Sequence, residues 1–209
     1  MVQITPAILE NNWSDIEDKI KLVEGATEWV HIDVADGQFV PVVTWSAPDD
    51  LELLQGREKI EVHLMVEHPE EIITNWLNVA DRIIVHIEAT DKIEDIVEAF
   101  ENVTTKLGLA VELDTDLADV VPYASRVDVV LLMGIKKVGF QGEKFDERVL
   151  EKIKELKAKA PGVKVAVDGG VNLATGTEAV AAGADTLIVG SALWESGDVE
   201  GTIEKFKEL

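Results

Sequence analysis

"VKVAVDGGVNLATGTEAVAAGADTLIVGSA", residues 163–192, sets two short apolar runs on either side of a stretch with helical spacing. The outer runs, "VKVAVDGG" and "DTLIVGSA", are β-branched and strand-like, while "NLATGTEAVAAG" between them has the period of a helix. The runs are apolar at nearly every position, so both of their faces need cover. Strands of that kind, alternating with helices, indicate a parallel sheet sheathed in helices.

Working outward, the same rhythm fills the chain. Strand-like runs occur at "VQI", "EWVHIDV", "KIEVHLMV", "RIIVHIEA", "KLGLAVEL" and "VDVVLLMGI" before the two already quoted. Helical spacing occurs at "SDIEDKIKLVEG", "HPEEIITNWLNVA", "DKIEDIVEAFENV" and "FDERVLEKIKELKAKA", with "APDDLELLQG" a weak, short helix after the second strand. Eight such units predict a closed (β/α)8 TIM barrel, an α/β fold. At 209 residues the units average about 26 residues each, compact against the ~250 residues typical of the fold. A doubly wound open sheet is the alternative, but no G-x-G-x-x-G follows the first strand. No linker or charge block divides the chain, so residues 1–209 are expected to form one domain.

Composition removes several classes. There are 41 acidic residues against 19 Lys and Arg, a net charge of −22, which argues against nucleic-acid binding because phosphate neutralisation needs a basic surface. The surplus lies on helices among lysines, as on a solvated face. Cysteine is absent, which excludes disulfides, zinc–thiolate sites and thiol catalysis. No apolar run reaches the ~18 residues of a membrane helix. The opening "MVQITPAILENNW" lacks the basic and apolar regions of a signal peptide. A soluble, cytoplasmic protein with no membrane partner is expected.

In a barrel of this kind, function sits at the C-terminal ends of the strands. The polar residues of the strands cluster there: His31 and Asp33 in "VHIDVADGQFVP" (30–41), His63, His86 and Glu88, and Asp168. Residues i and i+2 of a strand share a face about 6.6 Å apart, so His31 and Asp33 converge on one point. His63 and Asp168 lie within reach of it. Two imidazoles and two carboxylates form a mixed N/O site suited to Zn²⁺, Fe²⁺, Mn²⁺ or Co²⁺. Spacing alone leaves equal standing to the reading of hydrogen-bonded core residues. His86 and Glu88 could line the same cavity, and are read as loop support rather than ligands. His68 is read as a surface residue, Met65 and Met133 as core filler.

The loops after the seventh and eighth strands read "VDGGVN" and "IVGSALW", the customary place for a phosphate in such barrels. The loop after the sixth, "MGIKKVGFQGEKF", carries Gly139 and Gly142 and has the freedom of a mobile lid.

With these motifs in order, the chain resembles the ribulose-phosphate 3-epimerase family. "ITPAIL", "VHIDVADGQFVP", "VHLMVEHPE", "VHIEA", "VVLLM", "AVDGGVN" and "GADTLIVGSALW" carry the likeness along nearly the whole chain. The resemblance implies one divalent metal ion held by His31, Asp33, His63 and Asp168, with Asp33 and Asp168 as the catalytic acid/base pair. It implies that Met65 and Met133 pack beside the intermediate, and that Gly142, Gly169, Gly170, Gly190 and Ser191 hold the phosphate of a phosphorylated ketose. Ribulose 5-phosphate is the first candidate substrate. A homo-oligomer is also implied, with Trp76 and other residues expected on outer helices leaving its form open. The sequence departs from the family at Ala7, where Ser is usual, at Ala35 for Met, at Val42 for Asn, and in the lid around Val138 and Glu143. Trp45 and Ser46 are expected in an altered substrate-facing loop. Lyases of similar barrel architecture and a ligand-binding barrel without turnover are the competing readings. The lyases use an Asp-x-Lys-x-x-Asp run, and no such run exists in this chain.

Overall fold

A computed structural model of the chain describes residues 2–54, 56, 58–140 and 142–209. Gln55, at the end of the weak helix expected over 47–56, and Gln141, in the expected lid, lie outside the described residues. Eight parallel strands close on themselves in chain order. They are β1 (Gln3–Ile8), β2 (Trp29–Ala35), β3 (Lys59–Met65), β4 (Arg82–His86), β5 (Lys106–Val111), β6 (Val129–Met133), β7 (Val165–Asp168) and β8 (Thr186–Val189). All eight strand-like runs of the sequence are strands, and the pairing of β1 with β8 closes the barrel, with Gln3 opposite Thr186.

Strand alternation divides the buried residues into two sets. Val30, Ile32 and Val34 of β2 join Val62 and Leu64 of β3 in the large core between barrel and outer layer. The alternate residues face inward. There the apolar set is small and mostly short: Ala7, Ala35, Ala110 and Ala166, with Met65, Ile84, Leu131, Met133 and Ile188. Among these sit buried polar groups, Glu61, Arg82, His31, His63 and His86. Gly108 of β5 belongs to the same layer. A Cβ there would lie 2.8 Å from Val129 and 2.9 Å from Ile84, so the interior has no room for one.

Helices α1 (Trp13–Val23), α2 (Ile93–Phe100), α3 (Arg148–Lys159), α4 (Leu173–Ala182), α5 (Ser191–Trp194) and α6 (Val199–Lys207) form the outer ring. The crossover after β2 is a short 3₁₀ helix, Pro48–Leu53, at the place expected to be weak. The helix expected over "HPEEIITNWLNVA" does not form. Two 3₁₀ turns, Pro69–Glu71 and Ile73–Trp76, replace it. Ile72, Ile73 and Thr74 are consecutive β-branched residues with restricted χ1, and His68 and Asn78 bracket the segment at φ +54° and +69°. The segment is held instead by burying Ile73 and Trp76. Trp76 is therefore not an exposed residue of an outer helix; it is 1% accessible. Trp45 is likewise buried, its ring 5.3 Å from that of Trp13 and 5.7 Å from Trp76, so it packs the outer core rather than facing the site. Ser46 is exposed. Among the described residues no helix is long and apolar enough to cross a membrane.

Candidate active site

Strand register sets the site. Asp33 of β2 lies opposite His63 of β3, and His31 lies two residues below on the same inward face, opposite Glu61. Asp168 ends β7 opposite Met133 of β6, and enters the mouth from the far side of the barrel. Ligand atoms of His31, Asp33, His63 and Asp168 all lie within 4.8 Å of one another. These are the four residues that the spacing brought together. Asp33 and Asp168 are joined by Met65, Met133, Gly142, Gly169, Gly170, Gly190 and Ser191 around one cleft. Met65 and Met133 are both core residues and cleft lining.

The end of β2 is pinned by its own turn. Asp36 accepts the backbone N–H groups of Gln38 and Phe39 on one oxygen and that of Glu67, beyond β3, on the other. Gly37 supplies the φ of +76° that this turn requires. Thr44 Oγ1 donates to the Asp33 carbonyl at 2.9 Å and accepts the Ala35 N–H at 2.9 Å. At the other side, Gly170 adopts φ +68°, and a Cβ there would lie 2.7 Å from Phe145 Cα. Only glycine fits this turn.

A chain of hydrogen bonds crosses the interior. His31 Nε2 is 3.2 Å from Asp33 Oδ1, and His63 Nδ1 is 2.9 Å from the same oxygen. Behind them, His31 Nδ1 is 2.7 Å from Glu61 Oε1, and His63 Nε2 is 2.9 Å from His86 Nε2. His86 Nδ1 in turn is 3.2 Å from Glu88 Oε2, and Glu88 Oε1 accepts the Glu112 N–H at 2.8 Å. His86 and Glu88 stand behind His63 as well as supporting the following loop, and His86 also packs on Phe39 with ring centres 4.8 Å apart. His68 is exposed, as expected. Glu61 and its partner Arg82 are buried members of the network that sequence reading passed over. The signal was present: Glu61 and His63 share the i, i+2 relation that marks His31 and Asp33.

The two carboxylates differ sharply. Burial opposes ionisation of Asp33, but the His31 charge and the hydrogen bonds from His31 and His63 outweigh it and hold Asp33 well below the usual carboxylate range. Burial first, and then the charge of Asp33, push Asp168 up to about 6. Burial opposes a charge on His31, which Asp33 and Glu61 nonetheless carry well above the usual imidazole value. Burial keeps His86 neutral, lowering it to about 4. One ionised and one readily protonated carboxyl thus face each other across the mouth, the pattern of an acid/base pair.

A model of the Ribulose-phosphate 3 epimerase family matches residues 3–194. The ribulose-phosphate 3-epimerase of Aquifex aeolicus (strain VF5) is 33% identical over 217 residues, covering 100% of this chain and 97% of the relative. That of Bacillus subtilis (strain 168) is 34% identical over 216 residues, covering 99% of each. Among solved structures, 3-hexulose-6-phosphate synthase from Salmonella typhimurium superposes with a TM-score of 0.76 over 99% of this chain and 97% of its own. Its 17% identity bears on the fold alone. The sequence relatives run the length of the chain and the family match takes in every strand of the barrel, so the chain belongs to the ribulose-phosphate 3-epimerase family.

Proposed function

We propose that this barrel interconverts D-ribulose 5-phosphate and D-xylulose 5-phosphate, by proton transfer at C3 between Asp33 and Asp168. The observation that carries the reading is the pair of carboxyl groups with opposite protonation preferences, entering one cleft from β2 and β7. Inverting a carbon beside a ketone needs a base on one face and an acid on the other. Asp33, held ionised by two imidazoles, is suited to remove the proton. Asp168, which holds a proton up to about pH 6, is suited to return one from the opposite side. On the reverse reaction the roles exchange.

The donor set fits a divalent metal. Two imidazole nitrogens converge on a single oxygen of Asp33, and each ring has its second nitrogen engaged behind it, which leaves the site-facing nitrogens of His31 and His63 for a common cation. His31, Asp33, His63 and Asp168 would hold it, and the N/O set accepts Zn²⁺, Fe²⁺, Mn²⁺ or Co²⁺. When bound, such an ion supplies positive charge beside the enediolate, a stabilisation of about several kcal/mol. Met65 and Met133 present an apolar wall that excludes water from the reacting carbon. The turns at Gly169, Gly170, Gly190 and Ser191, with Gly142, bring backbone close to one end of the cleft and are the proposed phosphate end. No lysine lines the cleft among the described residues, which weighs against the lyase chemistry of similar barrels.

Proton NMR of zinc-loaded protein with ribulose 5-phosphate in deuterated water tests this. The expected result is deuterium at C3 together with xylulose 5-phosphate, both lost in Asp168→Asn. Metal-replete protein that produces neither would overturn the assignment.

A further inference from the structure

Glu61 and Arg82 lie at the floor of the barrel, beneath the site and outside the cleft lining. Glu61 is 1% accessible and Arg82 4%. The Arg82 guanidinium sits 4.1 Å from the centre of the Trp29 ring and donates to Asp128, which Lys106 also engages at 2.9 Å. Its Nε and Nη2 both donate to the same oxygen of Glu61, Oε2, the former at 2.8 Å. The second oxygen, Oε1, is left for His31 Nδ1 at 2.7 Å. Arg82 is fixed on three sides, so the Glu61 carboxylate is fixed as well.

We propose that Glu61, oriented by Arg82, is a positioning residue that keeps a proton on His31 Nδ1 and so makes Nε2 the nitrogen that yields its proton and takes the cation. This rests on the reading that the cluster holds a divalent metal. A carboxylate has only acceptor oxygens, so whatever faces it across a hydrogen bond must donate. His31 Nδ1 therefore carries its proton toward Glu61, and Nε2, which faces Asp33 and the cluster, is the nitrogen left to give up its proton when a cation takes the site. His63 reaches the same end by a different route, through His86 and Glu88. The two rings are thus set independently, and a change behind one leaves the other in place.

The geometry makes Glu61→Gln a sharp probe. Arg82 offers two N–H groups to the Oε2 position, so the amide oxygen of Gln must take that place. Its NH₂ group then faces His31 Nδ1 and drives the proton to Nε2, blocking the nitrogen that the metal needs. Adding Arg82→Met frees the amide to turn its oxygen toward His31.

Zn²⁺ affinity by chelator competition is measured for the parent, Glu61→Gln and Glu61→Gln/Arg82→Met. The expected result is a 10- to 100-fold loss in Glu61→Gln, the range for removing a partner behind a metal-ligating histidine, and recovery toward the parent in the double variant. In Co²⁺-loaded protein, the shifted ring N–H signal of His31 is expected to move or vanish in Glu61→Gln while that of His63 stays. If Glu61 merely balances the charge of Arg82, thermal stability falls but Zn²⁺ affinity stays within twofold of the parent; that result, or no recovery in the double variant, overturns the proposal. A parent that binds no divalent ion overturns the metal reading and this inference together, and is told apart by the parent titration alone.

Discussion

Asp168→Asn in metal-free protein separates the electrostatics of the site from its chemistry. In the folded metal-free chain Asp168 is raised from an ordinary 3.8 to about 6 by burial and by the charge of Asp33. A group whose folded pKa is raised stabilises fully below its unfolded value, and that contribution is lost as pH climbs through the folded value. A rise of this size amounts to about 3 kcal/mol, an upper figure because Asp168 is partly open at the barrel mouth. The parent thus carries a penalty at neutral pH that asparagine, having no charge, does not. Asp168→Asn is expected to differ from the parent by ~0.5 kcal/mol near pH 4 and to gain steadily, reaching up to ~3 kcal/mol in its favour by pH 8. Urea denaturation of both proteins in excess chelator at pH 4, 5, 6, 7 and 8 measures this, and acidic groups remote from the site cancel in the difference. A gap that stays constant with pH, or a variant less stable than the parent throughout, would refute the reasoning. Such a result would mean that Asp168 is solvated well enough to ionise freely.

Three other substitutions follow from the same packing. Arg82→Met on its own leaves the Glu61 charge buried without its partner and is expected to cost about 3–5 kcal/mol in chemical denaturation. Gly142 and Gly170 both have positive φ, but a Cβ at Gly142 meets open space while one at Gly170 meets the Phe145 backbone. Gly142→Ala is therefore expected to destabilise by about 1–2 kcal/mol from backbone conformation alone, and Gly170→Ala by more, compared in the same denaturation series.

The barrel was legible because parallel strands buried on both faces have a pattern few other elements share, and the runs are evenly spaced along the chain. The donor cluster was legible for a related reason. A polar residue in an otherwise apolar strand must have a partner, and His31, Asp33, His63 and Asp168 are each other's. Periodicity misled where side-chain shape overrides it: residues 69–76 have apolar positions at helical spacing but too many β-branched residues to form an α-helix. Trp45 and Trp76 were misplaced for want of depth information, since a tryptophan reads alike whether it faces a cleft, solvent or the barrel wall. Glu61 and Arg82 were passed over because each lies near the start of its strand, away from the end where such barrels place their chemistry.

The closure of β1 on β8 has a consequence for the birth of the protein. Gln3 is synthesised well before its partner Thr186, so the first strand has one neighbour missing while everything between them is made. At ~5–20 residues per second that interval is roughly 10–40 s. For all of it the nascent sheet has two unpaired edges, each able to recruit another chain. The bond from the Trp194 indole N–H to the Ala7 carbonyl, spanning 187 positions, forms only once that wait is over. The barrel is thus completed only once β8 has been made, and a product truncated before β8 is left with an open edge.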